Sequence, residues 1–155
     1  MEKLELTTIK NIADDFVVEL KNKLTANGSD ASGNLAKSIK GVVEEYGGKY
    51  IVITISAENY WKYIEYGTPP HYPPISVIKK WISVKPALPR QMKNGKLPTP
   101  QQLPYVIQTI IGKYGTKPKP FLKPTLTNFD LVGKVYDETV RLIKKQITEE
   151  LYELE

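Results

Sequence analysis

Apolar residues recur at spacings of three and four along residues 4–24, where Ile9, Ile12, Ala13, Phe16, Val17, Leu20 and Leu24 share one helix face. Asp14, Asp15, Glu19, Lys21 and Lys23 fall largely outside that stripe, and Asn27-Gly28-Ser29-Asp30 ends the helix. Leu35 and Ile39, four apart, predict one short further turn. The period then changes to two. Ile39–Tyr46 and Lys49–Ser56 flank Gly47-Gly48, which predicts a tight hairpin. In its second strand Ile51, Ile53 and Ile55 share one face and Tyr50, Val52 and Thr54 the other. Both faces are apolar enough to predict a strand central in its sheet.

Residues 57–66 read as a short aromatic helix with Tyr60, Trp61, Tyr63, Ile64 and Tyr66 as packing residues, ended by Gly67. Pro69, Pro70, Pro73 and Pro74 force an extended connection. Ile75, Ile78, Trp81 and Ile82 predict a second short helix with Lys79 and Lys80 on its far side. No periodicity is found in 85–98, a basic loop that holds three prolines. Thr99, Pro100 and Gln102 carry the signature of a capping box, and Pro104 delays the regular helix to near Leu103. Its stripe is Leu103, Val106, Ile107, Ile110, Ile111 and Tyr114, and Gly115 ends it. Thr116–Pro124 reads as extended, anchored by Phe121 and Leu122. A final helix is expected from about Asn128, with Val132, Val135, Tyr136, Val140, Ile143, Ile147, Leu151 and Leu154 on its apolar side.

These elements predict an α+β fold: an antiparallel sheet around a central hairpin at 39–56, packed by the N- and C-terminal helices, with long proline-rich arms or loops. A length of 155 residues suits a single domain over 1–155. Within it, 1–68 and 125–155 form a platform and 69–124 a basic, proline-rich segment. The sequence shows no internal repeat.

Charge sharpens that division. The net charge is +5, yet Pro70–Pro124 holds ten lysines and arginines and no acid, together with all but one of the 12 prolines. An anionic partner, nucleic acid or an acidic protein face, fits this segment; so do solvated loops whose lysines keep the chain soluble.

Candidate chemistry is sparse. There are no cysteines and one histidine, so a thiolate metal site and a Ser-His triad are hard to assemble. No phosphate loop or nucleophile elbow is present. Glu58 and Glu65, seven apart on one helix, read as solvated surface, and His71 as an exposed loop or interface residue. The expectation is a non-enzymatic chain without metal or cofactor. No apolar run approaches the roughly 18 residues of a membrane span.

Four short motifs occur in one order: Ala31-Ser32-Gly33-Asn34-Leu35-Ala36-Lys37-Ser38-Ile39, Tyr60-Trp61-Lys62-Tyr63-Ile64-Glu65-Tyr66-Gly67-Thr68, Ile78-Lys79-Lys80-Trp81, and Gly115-Thr116-Lys117-Pro118-Lys119-Pro120-Phe121-Leu122-Lys123-Pro124. Together they resemble the neck, head–tail joining or tail-completion proteins of tailed bacteriophages. Trp61, where a small residue is usual, and the long basic 85–98 loop depart from that pattern.

The resemblance implies a virion structural protein, assembled in the host cytoplasm, within a homo-oligomeric ring at the head–tail junction. Double-stranded DNA would pass through the lumen, other virion proteins would flank the ring on the connector and tail sides, and no membrane is involved. Contacts to subunits or neighbours are expected from Tyr66, Gly67, Thr68, Pro69, Pro70, His71, Tyr72, Pro118, Pro120, Phe121 and Leu122. Lys85, Arg90, Lys93 and Lys96 would face the DNA lumen or an acidic partner. The alternative is a free, non-sequence-specific nucleic-acid-binding protein that uses the basic 70–124 segment.

Overall fold

The computed structural model describes residues 6–29, 32–47, 50–85 and 95–152. Helix α1, Thr7–Ala26, buries Ile9, Ala13, Phe16, Val17, Leu20 and Leu24 of the stripe read from its periodicity, with Ile12 half-buried. A short α2, Asn34–Ser38, leads into β1, Lys40–Tyr46, which pairs antiparallel with β2, Tyr50–Ser56. The register sets Val43 opposite Ile53 and Tyr46 opposite Tyr50. Helix α1 lies on β1, while α6, Leu122–Phe129, and α7, Leu131–Tyr152, lie on α1. The fold is therefore α+β, an antiparallel sheet with flanking helices.

The core joins residues far apart in sequence. Phe16, Leu20, Leu24, Leu35, Ile39 and Phe121 form one buried cluster, with Ile55, Trp61, Ile64 and Phe129 packed around it. Phe16 and Phe129 meet ring to ring, centroids 5.5 Å apart and tilted by 58°, a favoured aromatic geometry.

The prediction of a central strand is not met. Among the described residues the sheet has two strands. Burial alternates along both, so Ile51, Ile53 and Ile55 face inward while Tyr50 and Val52 stand exposed. An apolar outer face does not by itself place a strand between two others, since side chains at one-residue intervals always point to opposite sides.

The C-terminal region also differs from expectation. It forms two helices, because Asp130 adopts a left-handed φ of 51° between them. Its Oδ1 accepts the Gly133 backbone N–H at 3.2 Å, so one residue stops α6 and caps α7. The extended reading of Thr116–Pro124 fails at its end: α6 starts at Leu122, and Pro124 sits in its first turn, where no backbone donor is needed. On α7 the buried residue is Leu142, whereas Val132, Tyr136, Ile143, Ile147 and Leu151 are exposed. Leu154 lies outside the described residues.

Candidate interaction surface

Helix α3, Trp61–Tyr66, connects the body to the rest of the chain. Trp61 and Ile64 pack on the core, but Tyr60, Tyr63 and Tyr66 are exposed, so only part of the aromatic cluster is packing. Glu65 contradicts its reading as solvated surface, being only 3 % exposed. Its Oε2 accepts the backbone N–H groups of Phe121 and Leu122 at 2.7 and 2.9 Å, and its Oε1 that of Lys123 at 3.0 Å. These are donors that the first turn of α6 leaves without intrahelical partners. A negative group there also meets the positive end of the helix dipole.

Directly after α3, Thr68 bridges to Thr116. Each donates its backbone N–H to the other's carbonyl at 3.2 Å, and the two hydroxyls stand 3.0 Å apart. Both threonines follow a glycine that ends a helix, Gly67 with φ 73° after α3 and Gly115 with φ 69° after α5, Leu103–Tyr114. A side chain on Gly67 would collide with Thr116 O, and one on Gly115 with Thr68 O. The sequence carries a sign of this pairing, since Tyr66-Gly67-Thr68 and Tyr114-Gly115-Thr116 are the same tripeptide.

Between these threonines the chain forms an arm of α4, Ile75–Val84, packed on α5. The proline segment before α4 is held against α5. The His71 N–H donates to Ile111 O at 3.3 Å, Gln108 Nε2 donates to Pro73 O at 2.8 Å, and the Tyr72 ring lies against Gly112. His71 Nδ1 donates to Pro69 O at 2.9 Å. The second proline segment is held to the body, with Lys119 N–H donating to Ile64 O and Asn27 Nδ2 to Pro120 O, each at 2.8 Å.

Arm and body enclose a cleft of about 840 Å³. Tyr60, Tyr63 and Ile64 form the body side, and Val77, Trp81 and Ile107 the arm side. Lys85, Lys117, Lys119 and His71 also line it, and none of the described lining residues is acidic. Ser29 Oγ, buried in its wall, has no hydrogen-bond partner among the described residues.

The residues expected to make contacts are thus divided. Tyr66, Pro69, Pro70, His71, Tyr72, Pro118 and Pro120 are exposed. Gly67 and Thr68 are half-buried in the threonine pair, Leu122 is half-buried against the core, and Phe121 is a core residue. Of the basic-loop residues Lys85 is half-buried at the cleft and Lys96 is exposed, while Arg90 and Lys93 lie outside the described residues. Among the described residues no cluster of His, Asp or Glu could hold a metal ion, and no helix is long and apolar enough to cross a membrane. Two surface groups titrate away from their usual ranges. The Tyr46 hydroxyl is raised by its hydrogen bond to Glu44 and that carboxylate's charge, and Glu138 is lowered chiefly by hydrogen bonds from Arg141.

Comparison with curated proteins and with solved structures returns no match. Residues 3–67, from α1 through α3 to Gly67, match the model of the HK97-gp10-like family, described as "Bacteriophage HK97-gp10, putative tail-component". That match bears out the resemblance to phage head–tail joining and tail-completion proteins.

Proposed function

We propose that the chain is a virion structural protein of a tailed phage, part of a ring at the head–tail junction through which DNA passes. The observation that carries this reading is the unused apolar surface on a fold whose N-terminal part matches a phage tail-component family. Val132 is 78 % and Leu151 62 % exposed on α7, and the cleft adds a second open apolar face. Apolar surface of this extent on a small chain marks contact with other proteins. The role is architectural, without catalysis or cofactor.

The basic segment supports contact with a polyanion or an acidic neighbour. Lys79, Lys80, Lys113, Lys117 and Lys123 are all exposed. The ion pairs among the described residues, Arg141–Glu138 and Lys145–Glu149, lie within α7 instead. Lysines held this way can follow phosphates without reading bases, which is also what favours the free nucleic-acid-binding reading.

A phage lacking this chain should accumulate filled heads and tails that do not join, and added protein should restore joining. Normal virions without it would overturn the proposal. Replacing Lys85, Arg90, Lys93 and Lys96 with Ser should leave the isolated protein folded and lower its assembly onto connector or tail. If joining is normal but DNA retention or ejection changes, those cations face the lumen. A chain that stays monomeric, shifts DNA alone and is absent from virions is the nucleic-acid-binding alternative.

A further inference from the structure

Among the described residues two apolar surfaces are left uncovered, and they complement each other. The cleft between α3 and the α4–α5 arm is lined by tyrosines, Trp81 and aliphatic residues, with three lysines and no described acid. The outer face of α7 presents Val132, Tyr136, Ile143, Ile147 and Leu151, at helical spacings that place them in one row. Glu150 follows Ile147 by three residues and Ile143 by seven, so it falls in that row, while Asp137 and Lys144 border it. No α7 residue lines the chain's own cleft.

We propose that the cleft takes the outer α7 seam of a second copy of the chain, with Asp137 and Glu150 meeting Lys85, Lys117 and Lys119 at its rim. Apolar burial supplies the attraction, and the charges at the rim fix orientation and register. From Val132 to Leu151 the seam runs about 28 Å, long enough to span the cleft and continue over the neighbouring body. Because cleft and seam are different patches, the contact is head-to-tail, and successive copies close into a ring or open into a filament. The proposal rests on the self-assembly put forward above and names the surfaces that carry it.

The absence of native cysteine makes the test direct. Val77→Cys places a thiol in the cleft and Ile147→Cys one on the seam, both at exposed positions. The two single variants, mixed at the highest soluble concentration and oxidised, should form the mixed 77–147 disulfide in preference to either homodimer. The double variant should form a ladder of covalent oligomers. Ile147→Lys, which sets a cation against the cleft lysines, should weaken self-association at least about tenfold while the melting temperature stays unchanged.

A dominant 147–147 disulfide, meaning paired α7 helices, or no disulfide at all would overturn the proposal. The ring reading is scored separately by imaging. Closed rings without the mixed disulfide defeat only the docking assignment, and the mixed disulfide in open chains defeats only the ring.

Discussion

Glu65 Oε2 lies 2.7 Å from the Phe121 backbone nitrogen, joining positions 56 residues apart in a buried setting. The start of α6 is thus fixed by a carboxylate on α3, and the Phe121 side chain enters the core from that point. Glu65→Gln keeps the shape but replaces one acceptor oxygen with a donor facing backbone donors. It should cost roughly 2–4 kcal/mol, read as a lower urea midpoint with unchanged slope. An unchanged midpoint would mean that α6 is capped in some other way.

Gly67 and Gly115 should be the least replaceable positions around the threonine pair. Alanine at either takes a left-handed φ and collides with the opposite strand's carbonyl. Each substitution should cost on the order of 3 kcal/mol from strain and separation of the pair. Gly67→Val should do worse, in folding or assembly, while Thr68→Ser should be nearly neutral. Equal effects of Gly67→Val and Thr68→Ser would sink this account.

At the start of α5, Thr99 Oγ1 accepts the Gln102 N–H at 3.3 Å and Gln102 Oε1 accepts the Thr99 N–H at 3.0 Å. Thr99→Ala should lower stability by about 1 kcal/mol. The loss should appear in hydrogen exchange of the first turn of α5 and leave α1 protection unaltered. Loss of protection throughout the body would show that the arm is not separately stabilised.

Glu138 accepts two hydrogen bonds from Arg141, at 2.8 and 2.6 Å. Its carboxyl is held below the usual 4.5, so the unfolded chain takes up a proton first as pH falls. The stabilisation is complete above the unfolded value and lost as pH falls through the lower folded one. Wild type should therefore melt above Glu138→Gln near neutral pH, with the difference closing as pH falls below the ordinary carboxylate range. A gap that persists in acid would assign the effect to shape instead of charge.

Much of this architecture was legible because it is local. The stripe of α1, the hairpin at Gly47, the Thr99–Gln102 box and the glycine ends of α3 and α5 each depend on neighbours a few residues away. What escaped depends on distant partners. Glu65 reads as surface until Phe121 arrives beside it, and Asp130 gives no warning of a left-handed turn. The α7 stripe was legible as apolar, yet Val132, Tyr136, Ile143, Ile147 and Leu151 on it stand exposed. Periodicity reveals a face and not what covers it. The cleft was invisible because its walls come from α3, α4 and α5, brought together by a bridge across 48 residues.

The Thr68–Thr116 bridge has a consequence for the chain as a modular object. Partners that exchange both backbone hydrogen bonds have Cα atoms about 5.5 Å apart, so residues 69–115 leave the body and return at almost the same point. The family match ends at Gly67, on the threshold of that excursion. That geometry predicts that the α4–α5 arm can be shortened without disturbing the packing of α1, the hairpin and α6. A chain in which a turn of about two residues replaces 69–115 should still fold cooperatively. It would keep the Glu65–Phe121 clasp and lose the cleft. If it cannot fold, the arm is part of the body's own stability, and its junction is a seam in geometry alone.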